Sequence, residues 1–242
     1  MTIKAILLIA DRDETAPGAL QWARPLAKRL DAHLQIAWIG DTAKPAVSAE
    51  DFATRSVSIE RDTTADPKRI VHLAQHADMT VIRLPEPGTA AYDDEMLLIE
   101  QIALEVGCPM VVLPWNLAPE RVAQRIAVAW NASASAQRAL RACLPLLTNG
   151  AVAIVSVHPD APLDLAAPVG RFLERHKVAA VLEPIIGKDK DAGALIAQAV
   201  EQLDIDLLVM GAWSRQPIVE RLLGGATRYL LGRLGIPILL SA

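Results

Sequence analysis

Aromatic residues are scarce in this chain, at 4% of 242 residues, so its core must be built from Val, Ile, Leu and Ala. Cysteine is nearly absent. Cys108 and Cys143 lie far apart and form no C-x-x-C pair, which excludes a disulfide scaffold or a zinc site and leaves two reduced thiols. Positive charge is also lacking. The net charge is −4 and no run of Lys and Arg occurs, which argues against a nucleic-acid partner. Long apolar runs are missing too. The stretch from Ile3 to Ile9 is too short for a signal peptide and stops at Asp11-Arg12-Asp13. Nothing approaches the roughly 18 to 20 apolar residues that a bilayer span requires. No membrane partner is expected, and the expected compartment is the cytoplasm.

What is present is a repeat. Ile6-Leu7-Leu8-Ile9-Ala10-Asp11 lines up with Ile126-Ala127-Val128-Ala129-Trp130-Asn131, and Ala19-Leu20 with Ala139-Leu140. Asp78-Met79-Thr80-Val81-Ile82 matches Asp204-Ile205-Asp206-Leu207-Leu208. Gly107-Cys108-Pro109-Met110-Val111-Val112 matches Gly235-Ile236-Pro237-Ile238-Leu239-Leu240. Matches kept in this order imply duplication, with halves at 1–115 and 124–242 and a linker from Pro114 to Gln124.

Each half reads as strands alternating with helices. In the second, Ile126 to Trp130 is a short continuous apolar run, as a strand buried on both faces requires. Ser133 or Ser135 can cap the next helix, whose apolar positions Ala136, Ala139, Leu140, Cys143, Leu144 and Leu147 recur at helical spacing. Strands follow at Ala151 to Val157, near Val178 to Ile186, at Leu207 to Met210 and at Ile236 to Leu240. Helices are expected around Leu165 to His176, Ala192 to Leu203 and Ala226 to Leu234. The first half keeps this order, with its least legible part between Gly40 and Asp66. Such alternation implies an α/β fold: two tandem five-stranded parallel sheets, each sandwiched by helices.

In open parallel sheets, ligands sit beyond the carboxyl ends of the strands, at the switch point. After strand four of the second half comes Gly211-Ala212-Trp213-Ser214, and later Gly224-Gly225-Ala226-Thr227 opens the last helix. Glycines there let the backbone approach an anion, while the helix end offers free N–H groups. Thr227 adds a hydroxyl. After strand one, Asn131 is placed either to bond an adenine edge or to cap the helix. The same glycines also suit turns and helix approaches, so both readings stand. Trp130 and Trp213 suit core packing and pocket lining equally. His72 and His76 have the spacing of a metal pair, but no third ligand accompanies them and a solvated face is expected. His158 and His176 read as surface residues. No G-x-S-x-G, G-x-x-x-x-G-K or G-x-G-x-x-G motif occurs, and no nucleophile stands beside an evident base. No catalytic or metal-binding residue is therefore assigned.

At these residues the second half resembles the universal stress protein family. Its nucleotide-binding members carry glycine, two residues, glycine, nine residues, glycine, then glycine or a hydroxyl residue. Here that pattern falls on Gly211, Ser214, Gly224 and Gly225. Val128-Ala129-Trp130-Asn131 with Ala136, Arg138-Ala139 and Leu144-Pro145-Leu146-Leu147 resembles the opening of such domains, and Gly235 to Leu240 their close. The resemblance covers the second half and, faintly, the first, so the chain resembles a tandem member with a degenerate first half. It implies an adenine-nucleotide alpha-hydrolase-like fold and a regulatory or stress-adaptive role. The implied ligand is ATP or another adenine nucleotide, with or without Mg2+, held by Trp130, Asn131, Gly211, Trp213, Ser214, Gly224, Gly225, Ala226 and Thr227. Family members dimerise through the last strand, which implies an intramolecular pseudo-dimer and allows a homo-oligomer.

Two departures qualify this. Ser214 stands where the family has its second motif glycine, adding a Cβ at the closest phosphate approach. Asn131 stands where the family's adenine-contacting aspartate falls, keeping an acceptor and gaining a donor. In the first half, Pro85 to Glu95 has one glycine and four carboxylates where phosphates would lie, and like charge repels them. Asp11 there reads as a helix-approach or solvated residue. The competing functions are a nucleotide-free interaction protein of the same fold and a slow ATPase.

Overall fold

The apolar runs of both halves fold as parallel strands. A computed structural model describes residues 2–10, 17–39, 62–64, 66–89, 92–148, 150–159, 167–212 and 225–242, which separate into two units, 2–122 and 123–242. The first unit contains β1 (Ala5–Ala10), α1 (Pro17–Leu30), β2 (His33–Ile39), β3 (Asp62–Thr64), α2 (Pro67–Ala74), β4 (Met79–Arg83), α3 (Tyr92–Glu105) and β5 (Met110–Leu113). Its strands lie in the order β3-β2-β1-β4-β5, every pair parallel.

The second unit contains β6 (Arg125–Ala129), α4 (Ala134–Leu147), β7 (Ala151–His158), α5 (Ala167–Arg175) and β8 (Ala180–Ile186). It continues with α6 (Ala192–Gln202), β9 (Leu207–Gly211), α7 (Gly225–Arg233) and β10 (Ile238–Ser241). The order β10-β9-β6-β7-β8 repeats that of the first unit, again all parallel. Both units are thus five-stranded α/β sheets, as the alternation of elements requires.

Helix α4 shows how the sequence builds this. Ser133 is its N-cap, its hydroxyl accepting from the Ala136 amide at 3.2 Å. Ala136, Ala139, Leu140, Cys143 and Leu147 are buried as the periodicity requires, whereas Leu144 is only half-buried. Ala142 and Leu146 complete the apolar face. Pro145 inside α4 and Pro25 inside α1 stand at matching places in the two repeats. At the other edge, β8 leaves Val181 and Ile186 exposed, and Pro184 within it has no N–H to donate, as suits an edge strand.

The repeat needs one correction. Met79 pairs with Ile6 and Leu207 with Ile126, so Asp78 corresponds to Asp206, not to Asp204. The expected match slipped by two residues because apolar alternation looks the same after such a shift. Asp204 instead lies in the turn after α6, with φ of 51°.

Of the expected linker from Pro114 to Gln124, residues 114–122 are tied to the first unit. Arg29 donates to the Val122 carbonyl at 2.8 Å and Arg83 to that of Trp115 at 3.2 Å. No helix among the described residues is long and apolar enough to cross a membrane.

Candidate functional site

From β6 the chain moves to β7 on one side, whereas β9 leads to β10 on the other. The switch point of the second unit therefore lies between β6 and β9, which pair through Ala129 and Met210. Asn131 follows the first of these strands and Gly211 ends the second, so the structure brings these two expected residues to one place.

The loop after β6 is a tight hydrogen-bonded turn. Ala132 holds a left-handed φ of 59°. The side-chain oxygen of exposed Asn131 accepts from the Ser133 amide at 3.1 Å. That acceptor is engaged in shaping the turn, so the amide donor is what Asn131 offers to a ligand. The Ser133 and Ser135 hydroxyls lie 3.2 Å apart, and Ser135 is buried.

Gly211 runs directly beneath this helix start. A Cβ there would collide with the Ala136 amide and lie 2.5 Å from the Ser135 hydroxyl. Its glycine is thus required by helix approach, whatever else the residue does. Gly225 differs. It is exposed, it opens α7, and among the described residues nothing lies within 4 Å of where its Cβ would be. Ala226 is half-buried and Thr227 buried on the same first turn. Helix α6 fixes that turn through Gly193, whose own Cβ would be 3.0 Å from the Tyr229 ring and 3.4 Å from Ala226. Trp213, Ser214 and Gly224 lie outside the described residues.

Side chains at the strand ends are enclosed. Trp130 is 9% exposed, and its indole nitrogen is buried without a hydrogen-bond partner among the described residues. His158, expected at the surface, is half-buried, with Nε2 buried and without a partner among the described residues. Its position at the end of a strand buried from Val152 to Ser156 overrides its polarity. Sequence reading also missed Ser156, 1% exposed and likewise without a partner among the described residues. The signal was there: Ser156 and His158 are the polar residues of an otherwise apolar run, two apart on one face.

The remaining candidates are placed plainly. His72 and His76 are exposed, with ring centroids 4.9 Å apart. His176 is exposed beside Phe172, at 4.7 Å between ring centroids. Among the described residues no group of three or more His, Cys, Asp or Glu could hold a metal. Burial pushes the Cys108 thiol up to about 11 and the Cys143 thiol higher still. In the first unit, α3 begins at Tyr92, so Asp93, Asp94 and Glu95 fall in its first turn. Acidic residues at those sequence positions are unfavourable neighbours for a phosphate at that helix end. Gly88 turns the preceding loop with φ of 85°, and Thr89 donates to the Glu86 carbonyl at 2.9 Å. Asp11 lies outside the described residues.

The universal stress protein family model matches residues 123–241. No curated protein matches the sequence of this chain. Among solved structures, it is similar to a universal stress protein from Archaeoglobus fulgidus, with a TM-score of 0.73 at 13% identity over 97% of this chain and 95% of that one. It is also similar to a putative universal stress protein from Pseudomonas aeruginosa, with a TM-score of 0.68 at 17% identity over 99% of this chain and 93% of that one. At such identities the likeness is one of fold, and it extends over both units. With the strand order, the switch-point turn and the family match in agreement, the second half of this chain, residues 123–241, belongs to the universal stress protein family.

Proposed function

We propose that the second unit binds one adenine nucleotide per chain and serves a regulatory or stress-adaptive role. The observation that carries this reading is Gly225. Neither positive φ nor internal crowding demands a glycine there among the described residues, yet glycine is costly at a helix position. Close approach of a ligand to the backbone accounts for it. The first turn of α7 would then supply N–H groups to the phosphates, with Gly211, Ser214, Gly224 and Thr227 around them and Asn131 toward the base. Mg2+ would offset part of a triphosphate's negative charge.

A nucleotide-free interaction protein is the competing reading, and Gly211 favours it, because packing alone explains that glycine. Mass spectrometry of small molecules released from the purified, denatured protein separates the two. Adenine nucleotide recovered near one equivalent supports binding. None recovered, together with no heat on titration with ATP, would overturn it. Phosphate release in the presence of Mg2+ then tests slow hydrolysis.

A further inference from the structure

The last helix and strand of each unit repeat in register. Met79 and Leu207 are equivalent, so Thr80 matches Leu208, and their sheet partners Met110 and Ile238 match in turn. Carried back along the chain, this register lays α3 on α7 residue for residue. Ile99, Ile102, Ala103 and Val106 are buried, and so are their counterparts Thr227, Leu230, Leu231 and Leu234. The inward faces of the two helices therefore pack alike.

The outward faces diverge in opposite senses. Leu97 and Leu104 of α3 are 56% and 61% exposed. At these places α7 has Gly225 and Gly232, where a Cβ would meet nothing within 4 Å among the described residues. Glu100 and Glu105 of α3 stand where α7 carries Arg228 and Arg233. None of these four charged groups forms an ion pair among the described residues. At steps of three, seven and eight residues, all four positions lie on one helix face. Helix α3 thus presents leucine knobs framed by carboxylates, and α7 a glycine groove framed by guanidinium groups.

Packing within the unit does not require the leucines, since the other repeat has glycine at both places. In water they gain nothing, whereas in a groove they bury apolar area. The charges say what groove that is. A face of knobs and carboxylates fits a groove lined by arginines, and this chain carries both.

We propose that α3 of one copy of this chain docks on α7 of a second copy, with Leu104 over Gly232 and Glu100 and Glu105 beside Arg228 and Arg233. Each copy has both faces, so a twofold pair makes the contact twice and closes. Two helix faces bury little area, which makes the association weak and transient. Gly232 lies about 10 Å along α7 from Gly225, clear of the helix end used in the nucleotide reading, so the two stand or fall separately.

Sedimentation velocity over a range of protein concentrations, at about 0.05 M and about 1 M salt, tests this. The mean mass of the wild type should rise with concentration in low salt and return to that of the monomer in high salt. Glu100→Arg with Glu105→Arg, and Arg228→Glu with Arg233→Glu, should each weaken association roughly tenfold or more through like-charge contact. Mixed in equal amounts, the two variants should associate again, because each supplies the charge that the other lacks. Gly232→Leu fills the groove but meets open space in its own chain, so it should weaken association as much and keep the thermal midpoint. A wild type that stays monomeric in low salt overturns the proposal. So do charge-reversed or Gly232→Leu variants that associate like the wild type, and a mixture that stays monomeric. A salt-dependent change of shape at constant mass would place the contact within one chain and overturn it as well.

Discussion

Asp206 and Arg125 are joined reciprocally: the Arg125 amide donates to the Asp206 carboxylate at 3.1 Å, and the Asp206 amide donates to the Arg125 carbonyl at 2.9 Å. The same carboxylate accepts from the Gln124 amide at 2.9 Å, so it secures the start of β6 against β9. Asp78 does this for the first unit, accepting from the Lys4 and Ala5 amides at 2.7 and 3.0 Å. Hydrogen bonds to charged groups contribute about 1.5 to 3 kcal/mol each, with strong non-additivity. Asp206→Ala should therefore destabilise the second unit by about 2 to 4 kcal/mol, and Asp206→Asn by less. Chemical denaturation followed by Trp fluorescence checks this. An Ala variant within about 0.5 kcal/mol of wild type would show that the strand start needs no clamp.

Gly211→Ala sets a methyl group against the Ala136 amide and the Ser135 hydroxyl. Both belong to the capped start of α4, which has little freedom to retreat. Overpacking of this kind costs about 1 to 3 kcal/mol. The thermal midpoint should fall accordingly, and ATP affinity should fall with it, because the Asn131 turn is displaced. Unchanged stability in Gly211→Ala would mean that the helix start shifts freely.

Ala132 runs the other way. A non-glycine residue at φ of 59° carries roughly 1 kcal/mol of steric cost that glycine avoids. Glycine also loses more backbone entropy on folding, which offsets part of that gain. Ala132→Gly should leave stability equal or raise it by up to about 1 kcal/mol, whereas Ala132→Val should lower it. A Val variant as stable as the wild type would refute the left-handed turn.

The fold was legible because buried parallel strands must be apolar along their buried length, as Ile126 to Ala129 of β6 and Leu207 to Met210 of β9 are. Duplication then let each half check the other. The slip between Asp204 and Asp206 shows where pattern stops: apolar alternation fixes a face but not a register, and here a buried carboxylate fixes the register. The cap was legible as Ser133 or Ser135, and it is Ser133; Asn131, read as a base contact or a cap, instead shapes the turn before it. The distinction between Gly211 and Gly225 was not. Both are glycines in one motif, and only three-dimensional surroundings separate a packing requirement from an open site. His158 was misread because its polarity suggests surface while its strand holds it half inside.

The thiols should be inert. Burial raises the Cys108 thiol to about 11, so at pH 8 only about one molecule in a thousand carries the reactive thiolate. Cys143 is fully buried and donates to the Leu140 carbonyl at 3.2 Å. A disulfide-exchange reagent at pH 8 should label neither cysteine in the native protein within minutes, and both in guanidinium. Prompt labelling of Cys108 would show that α2, whose Ala74 carbonyl accepts from its thiol, opens locally.

The last prediction asks whether Ser214 hinders the ligand or serves it. A side chain at a backbone–phosphate contact either pushes the phosphate away or replaces an N–H bond with a hydroxyl bond. Bonds to charged groups are worth about 1.5 to 3 kcal/mol, or roughly ten- to a hundredfold in affinity. If Ser214 hinders, Ser214→Gly should tighten ATP and enlarge the ligand-induced thermal shift, since only binding to the folded state stabilises it. If it serves, Ser214→Gly and Ser214→Ala should both weaken ATP. Hindrance is the expected outcome, because close backbone approach is the reason for glycine in such loops. Titration should give no more than one ATP per chain, because Asp93, Asp94 and Glu95 occupy the first turn of α3 in the first unit. Two equivalent sites would contradict that assignment. Gly224→Val serves as the control, since a branched side chain beside Gly225 should block the helix end in either background. An ATP dissociation constant unmoved by Gly224→Val would place the phosphates elsewhere and leave the nucleotide-free reading in front.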